Sequence, residues 1–236
     1  MAVSYSILRF QQMPDKMPLQ SYVWDLNNPN VPDLVLNAPS SITNISYNQK
    51  LSDQIGGGCY NGLIAIWDVK RGKEPIMVSP VEKSHSDPIS HLTWLFSRAG
   101  TELVTTSTDG NVCWWDTRKF TDGPIDKLEL KEEFVNPDGK KYERSVGGTV
   151  LEFNQDSANK ILIGTEQGYI LTASKRAKKS VEILSKYGLE SGRHLGPVYA
   201  INRSIPNSRY FLSVGDWSAK VFKFFFIYIR KMSIFS

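Results

Sequence analysis

Histidine, aspartate and hydroxyl side chains recur in this sequence at offsets that could bring them together. His85 and Asp109 enclose a run of hydroxyl residues, of which Thr105, Thr106 and Ser107 are candidates, and both precede the indole of Trp115. A buried histidine or aspartate has to be paired, so His85, Asp109, one hydroxyl residue and Trp115 are candidates for one hydrogen-bonded chain if the fold brings them together. A second set, His194, Asp216 and Phe222, follows in the same order with a phenyl ring in the place of the indole.

Catalytic chemistry is the alternative interpretation of these residues, because histidine, aspartate and serine also form hydrolase triads. No glycine elbow of the G-x-S-x-G kind surrounds any serine. The glycine run at 56–58 lacks the Gly-Lys-Ser/Thr of a phosphate loop, and it indicates instead a close backbone approach at a strand start. We therefore expect no catalytic residue and no cofactor-binding residue, and the protein is predicted not to be an enzyme.

Metal and disulfide chemistry are also disfavoured. The three histidines are scattered, and the two cysteines, Cys59 and Cys113, lie in separate strand-like runs without a CxxC spacing. We expect both thiols to be buried and structural, and we expect no metal site. A net charge of +4 over 236 residues is mild and falls short of a nucleic-acid-binding signature. No secretory signal and no membrane-spanning run is evident, so neither a membrane nor a nucleic acid is an expected partner.

The elements that would position these residues form a repeat. Three β-rich runs end in Trp-Asp, at Trp24-Asp25, Trp67-Asp68 and Trp115-Asp116, and the tryptophans stand 43 and 48 residues apart. This period is typical of WD repeats, which form four-stranded propeller blades. Asp68 and Asp116 are expected to cap the ends of their strands.

Tight turns support the same period. Asn61-Gly62 and Asp109-Gly110 each stand six residues before a Trp-Asp tryptophan, between two apolar runs. Such dipeptides predict hairpin turns in which both central residues have a positive φ. Two weaker copies follow, one with Ala173 and Ser174 in the Trp-Asp places and one with Phe222 and Lys223.

The predicted fold is therefore all-β, a partial WD40-type β-propeller of about four to five blades. The repeats are expected at 1–30, 37–80, 85–130, 146–190 and 194–222, with an outer strand and a surface loop over the polar segment 119–148. The segment 223–236 is apolar, has no turn signal and does not alternate, so we expect it to be an aberrant tail of a truncated propeller. Such a chain should be insoluble or oligomeric when it is expressed alone.

Several motifs resemble those of one particular family of WD-repeat proteins. The ordered set comprises Ser21–Leu26, Gly57–Gly62 with Ile66–Asp68, Ser107–Gly110 with Trp114–Lys119, Ile163–Gly168 and Val214–Ala219. Over residues 2–222 these motifs resemble the propeller of dynein intermediate chains. The double tryptophan at Trp114-Trp115 and the Asp216-Trp217 doublet are similar to the axonemal outer-arm type.

The resemblance implies a role as a non-catalytic scaffold. Members of this family pair with a second intermediate chain, seat on dynein heavy chains, carry dynein light chains on flanking segments and associate with microtubules through the complex. It implies a place in the cytoplasm and cytoskeleton, in the axoneme of a cilium or flagellum. The structural WD-repeat residues that it implies are Trp24, Asp25, Asn61, Trp67, Asp68, His85, Asp109, Trp115, Asp116, His194, Asp216 and Phe222. The alternative is a WD-repeat scaffold of another assembly, such as a cytoplasmic dynein or a ciliary transport complex.

Overall fold

The computed structural model describes residues 1–7, 17–135, 138–153, 160–175, 180–189, 192–224 and 226–233. Within these ranges nearly all of the regular secondary structure consists of antiparallel strands. Their sheets are numbered here in chain order, and the chain divides into two compact units, residues 1–107 with 113–125 and residues 108–112 with 126–236.

Sheets 1 and 2 lie in the first unit. Sheet 1 has three strands in the order β1-β2-β3, and sheet 2 has four in the order β4-β5-β6-β7. Their bounds are β1 Ala2–Val3, β2 Gln20–Val23, β3 Leu34–Asn37, β4 Ile42–Tyr47, β5 Gln54–Cys59, β6 Ile64–Asp68 and β7 Met77–Val78. Strand β3 lies between the expected repeats 1–30 and 37–80, and it pairs with β2 along its whole length.

Sheet 3 contains the Trp114-Trp115-Asp116 motif and has the order β11-β10-β9-β8. Its strands are β8 Ile89–Trp94, β9 Glu102–Ser107, β10 Asn111–Asp116 and β11 Asp126–Glu129, and short 3-10 turns cover Val81–Lys83 and Thr117–Asp122. The expected outer strand is β11. The surface loop after it differs from the expectation, because β12 Lys131–Val135 and β13 Lys141–Ser145 pair as a separate exposed hairpin.

Sheets 4 and 5 lie in the second unit, with the orders β14-β15-β16-β17 and β18-β19-β20-β21. Their strands are β14 Gly148–Phe153, β15 Lys160–Thr165, β16 Ile170–Ser174, β17 Glu182–Tyr187, β18 Val198–Arg203, β19 Tyr210–Gly215, β20 Ser218–Lys223 and β21 Phe226–Ser233. The segment 223–236 was expected to leave the repeat, yet β21 pairs with β20 as the fourth strand of sheet 5. Backbone pairing does not require the side-chain alternation that the sequence lacks there.

Four-stranded meanders of this kind are the blades of a propeller, so the prediction of an all-β chain of WD-type blades is confirmed. The core lies between neighbouring sheets. Sheets 1 and 2 bury Leu36, Ile42, Ile55 and Trp67, while sheets 2 and 3 bury Ile64, Ile66, Leu92 and Trp115. A third cluster joins sheets 4 and 5 through Leu162, Val198, Phe211 and Phe222. One middle strand in each of sheets 2, 3 and 4 is buried on both faces, so β6, β10 and β16 lack the polar–apolar alternation of a half-exposed strand.

Candidate functional site

Three members of the first predicted network, His85, Trp115 and one hydroxyl residue, meet at Thr105 in the middle of β9, and the fourth, Asp109, lies in the tight turn. Trp115 Nε1 donates to Thr105 Oγ1 over 3.0 Å, and His85 Nε2 lies 2.9 Å from the same oxygen. All three side chains are buried. The sequence left Thr105, Thr106 and Ser107 open as candidates, and the structure selects Thr105. Ser107 lies near the loop before β8 instead, where its hydroxyl donates to the carbonyl oxygens of Asp87 and Pro88.

The second network forms in sheet 5. His194 Nε2 lies 2.7 Å from Ser213 Oγ, and His194 Nδ1 lies 2.9 Å from Asp216 Oδ1. Ser213 occupies the position on β19 that Thr105 occupies on β9, counted from the start of each strand. Sequence reasoning named His194 and Asp216 but missed Ser213, although its register position was the available signal. Phe222 has no N–H to donate, and it stacks on Phe211 with ring centroids 5.2 Å apart.

Both carboxylate oxygens of Asp216 accept hydrogen bonds in this network. Its Oδ2 accepts the backbone N–H of Leu195 over 2.6 Å, and its Oδ1 accepts the Ser218 hydroxyl over 2.5 Å. Burial opposes ionisation, but the hydrogen bonds from Leu195, Ser218 and His194 together hold the pKa of Asp216 well below its ordinary value. The carboxylate therefore fixes the loop before β18 to the turn between β19 and β20.

The Asp–His–Ser line in sheet 5 has the order of a hydrolase triad, but its accessibility is wrong for one. A nucleophile has to reach a substrate carbonyl, and Ser213 and the His194 side chain are both fully buried. The same line closes a loop and a turn, so the geometry is that of a satisfied structural network.

The Trp-Asp aspartates share one local role. Asp25, Asp68 and Asp116 each accept, through Oδ1, the backbone N–H two residues further on, at 3.0 Å in every case. This Asx-turn stops the strand and turns the chain. Asp116 also receives the Arg118 guanidinium at 2.6 Å, and this contact lowers the pKa of the Asp116 carboxyl.

Asn61 and Asp109 accept in the same way from Leu63 and Asn111 in the tight turns. The expected turn type is wrong, however. Among the described residues a positive φ occurs at Gly62 and Gly110 but not at Asn61 or Asp109. In each turn the residue before the glycine has no positive φ, and the glycine itself is left-handed. This is the pattern of a three-residue hairpin loop.

The remaining tryptophans differ in their partners. Trp67 is fully buried, and its Nε1 donates to the Asn37 carbonyl of sheet 1 over 3.1 Å. Glycine stands at position 57, where Thr105 stands in sheet 3, and a Cβ there would lie 2.8 Å from the Trp67 ring. The glycine run thus permits the expected close approach, but it lies within β5 rather than at its start. Trp24 follows β2 and is half-buried.

The remaining features are the two cysteines, possible metal ligands, membrane-spanning helices and one basic segment. Cys59 and Cys113 are both free and buried as expected, and burial raises the pKa of the Cys59 thiol to about 12. No cluster of three or more potential metal ligands, and no helix long and apolar enough to cross a bilayer, occurs among the described residues. The sequence also has a basic run, KRAKK, at 175–179; of its residues only Lys175 is described, and it pairs with Asp126 over 2.8 Å.

The sheets and their networks define the class of protein: a chain of WD-type propeller blades. In agreement, residues 78–116 match the family model "WD domain, G-beta repeat". The "Dynein, 70 kDa intermediate chain, flagellar outer arm" of Chlamydomonas reinhardtii is 45% identical over 93% of this chain, and the "Dynein axonemal intermediate chain 2" of Homo sapiens is 40% identical over 94%. The mouse "Cytoplasmic dynein 2 intermediate chain 2" is 26% identical over 85%.

Over nearly all its length, the chain is homologous to axonemal dynein intermediate chains, and the resemblance seen in the sequence is confirmed. The chain spans 37% of the length of the Chlamydomonas relative and 35% of that of the human one.

Proposed function

We propose that this chain is a non-catalytic scaffold that contributes propeller blades to an axonemal outer-arm dynein. Its partners would be dynein heavy chains, a second intermediate chain and, through flanking segments, dynein light chains. It would reach the microtubule through that complex, in the cytoskeleton of a cilium or flagellum. The carrying observation is the identity of 40–45% to flagellar and axonemal intermediate chains, against 26% to a cytoplasmic one, over most of this chain.

The chemistry of the described residues is consistent with a scaffold. The histidine networks are buried and occupied by structural hydrogen bonds, so their side chains hold loops and strands in place. Surfaces available to partners lie on loops, sheet faces and the β12–β13 hairpin, whose exposed Phe134 and Tyr142 rings stack at 5.8 Å. Loops and rigid hairpins on a propeller are suited to protein binding.

Affinity purification tests this proposal. The tagged chain would be expressed in ciliated cells, and the proteins that it retains from a high-salt axonemal extract would be identified by mass spectrometry. Outer-arm heavy chains should be retained together with a second intermediate chain. The matched control is the Trp115→Ala variant, which carries the same tag but loses the core of sheet 3. Retention of cytoplasmic dynein heavy chains instead would replace the proposal with its alternative.

Catalysis is tested separately. Ser213→Ala removes the hydroxyl that a triad would use while it keeps the size of the core nearly unchanged. If a hydrolase screen of the purified chain detected an activity that this variant lost, the non-catalytic assignment would be wrong.

A further inference from the structure

The β12–β13 hairpin is a separate sheet that lies between two blades in the chain. Among the described residues it has only two strands, and every residue of β13 is exposed. An isolated two-stranded ribbon is only marginally stable in water, because it buries little of either face. Strand β13 pairs on one side only, so the backbone N–H and C=O groups along its other edge have no strand partner in the described part of the chain. The hairpin can therefore accept a third strand.

The two faces of this hairpin differ in chemistry. Cross-strand pairing places two pairs of side chains on one face, and these are Glu132 with Arg144 and Phe134 with Tyr142. The rings of Phe134 and Tyr142 stack at 5.8 Å and are still 44% and 43% exposed. The opposite face is mainly charged and contains Lys131, Glu133, Lys141 and Glu143. The first face is thus aromatic towards the tip of the hairpin and charged towards its base.

Arg193 holds the first face beside sheet 4. It lies in the loop before β18, where its Nε donates to the Gln167 carbonyl oxygen over 2.5 Å and its Nη2 donates to Gln167 Oε1 over 3.1 Å. Glu132 Oε1 lies 3.9 Å from Arg193 Nη1, and Glu132 Oε2 lies 3.8 Å from Arg144 Nη2. The guanidinium of Arg193 is therefore fixed next to the hairpin. We call the following five residues the arginine–aromatic strip: Glu132, Phe134, Tyr142, Arg144 and Arg193.

The charges of the arginine–aromatic strip are unbalanced. Two guanidiniums share the single carboxylate of Glu132, and both of these ion pairs are longer than a hydrogen bond. The side chains of Arg144 and Arg193 are 53% and 40% exposed, whereas that of Glu132 is 22% exposed. The nearby carboxylate of Glu166 lies against the backbone of Gly147. A further carboxylate beside Arg144 would balance the strip and could form shorter, charge-assisted hydrogen bonds.

We infer that β13 binds an extended segment of a partner protein as the third strand of this sheet, with an acidic residue beside Arg144 and an apolar residue beside Tyr142. Side chains on one face of a strand are two residues apart, so a segment antiparallel to β13 has the order acidic-x-apolar. The edge of β12 fits such a segment less well, because there the acidic residue would lie beside Glu132. In this mode of recognition the backbone provides affinity and alternate side chains provide specificity. The inference rests on the proposed scaffold function and names the chemistry of one segment that the scaffold binds.

Fluorescence anisotropy of labelled peptides with the purified chain tests this inference. The probe is a peptide of about nine residues, with threonines on both sides of the core Glu-Thr-Phe. Because β13 has only five residues, we expect a dissociation constant on the order of 100 µM. One control peptide has the same composition with the core Phe-Thr-Glu, and a second has proline in place of every threonine, which removes backbone donors. Both controls should bind at least about fivefold more weakly than the probe.

Matched variants of the chain locate the site. Arg144→Glu should weaken probe binding at least about tenfold, whereas Lys141→Glu makes the same change of charge on the opposite face of β13 and should bind like the parent. Tyr142→Thr removes one ring and should weaken binding at least about threefold. A peptide with the core Lys-Thr-Phe should bind Arg144→Glu more tightly than the parent, which shows that this variant is folded and has only changed its preference. Circular dichroism checks the fold of each variant.

Three results with the peptides would overturn the inference. They are no binding of the probe at about 1 mM, equal binding of the probe and its reversed control, and equal losses in Arg144→Glu and Lys141→Glu. Sedimentation velocity of the chain alone checks another occupant, because self-association that Tyr142→Thr abolishes would assign β13 to a second copy and would also overturn the inference. The peptide measurements contain no dynein. Their failure therefore leaves the scaffold function to the axonemal extract, and a failure there leaves the peptide result unchanged.

Discussion

The indole N–H of Trp115 donates to the hydroxyl of Thr105 over 3.0 Å, across two adjacent strands in the centre of sheet 3. Thr105 Oγ1 also lies 2.9 Å from His85 Nε2, so one hydroxyl satisfies two buried polar groups. Each of these groups would lose its partner if the oxygen were removed. The stability of sheet 3 therefore depends in part on this single side-chain atom.

Thr105→Val tests this dependence, because valine has the shape of threonine without the hydroxyl. The loss of these two buried hydrogen bonds should lower the free energy of unfolding by about 2–4 kcal/mol. Urea denaturation of the parent and the variant measures the difference. The control is Thr105→Ser, which keeps the oxygen, loses one methyl group and should cost only about 1 kcal/mol. Equal losses in the two variants would mean that packing rather than hydrogen bonding matters here.

Glycine positions in the tight turns give a second prediction. Gly168 has φ 85°, and a Cβ there would lie 2.1 Å from the His194 carbonyl oxygen, whereas Gly139 has φ 77° and a Cβ there would have no described residue within 4 Å. Gly168→Ala carries both the cost of left-handed backbone and a backbone clash, so it should destabilise by about 3 kcal/mol or more.

Gly139→Ala carries only the backbone cost and should destabilise by about 1 kcal/mol. Thermal unfolding of both variants separates the two contributions. Similar melting temperatures for the two variants would show that the close approach of His194 to Gly168 is not maintained in solution.

The sequence predicted the strands better than the turns, for identifiable reasons. The runs that end in Trp67-Asp68 and Trp115-Asp116 were expected to be strands, and they are β6 and β10, which end at those aspartates. Asn61 was expected to have a positive φ, but its side-chain oxygen accepts from Leu63 while the residue stays right-handed. A dipeptide alone does not distinguish a two-residue from a three-residue loop, because the difference depends on where the strands align.

The hydrogen-bond networks of His85 and His194 could also be predicted only in part from the sequence. Trp115 and His85 could be located from the repeat period, but the period alone did not separate Thr105 from its neighbours. Ser213 was missed because its repeat lacks the tryptophan that marks the other copies, and its position emerges only once β19 is aligned with β9. The strand β21 was not expected because its segment has no turn signal and no alternation, whereas its backbone pairing with β20 requires neither.

His91 predicts a pH dependence of stability. Burial lowers the pKa of its imidazole to about 4, and among the described residues its Nδ1 has no hydrogen-bond partner. The unfolded chain, with a histidine pKa near 6.5, binds more protons than the folded chain at intermediate pH. The free energy of unfolding should therefore fall as the pH drops from about 6.5 towards about 4, by at most about 3 kcal/mol.

The measurement is urea denaturation of the parent and of His91→Gln at pH 7 and pH 5. Glutamine cannot take up a proton, so the difference between the two pH values should shrink in the variant. Glu152 works in the opposite direction, because burial raises the pKa of its carboxyl, and it is unchanged in both proteins. An unaltered pH dependence in His91→Gln would assign the effect to other groups.

The turn between β19 and β20 gives the last prediction, because it differs from every other turn of the repeat. Gly215 pairs with Ser218, so the loop has two residues, Asp216 and Trp217, and both have a positive φ, 46° and 61°. Asp216 offsets its strain through the hydrogen bonds that it accepts. Trp217 is a bulky residue in left-handed backbone and is 85% exposed, so little packing compensates for its conformation. Trp217→Gly should relieve this strain and raise the free energy of unfolding by about 0.5–1 kcal/mol, after the greater flexibility of glycine in the unfolded chain is subtracted.

Asp216→Gly is the contrasting variant: it relieves the same kind of strain but removes the partner of His194 and Leu195, and it should destabilise. Thermal and urea unfolding of both variants checks the two opposite signs, and a loss of stability in Trp217→Gly would mean that the exposed indole makes contacts in solution that outweigh its backbone strain.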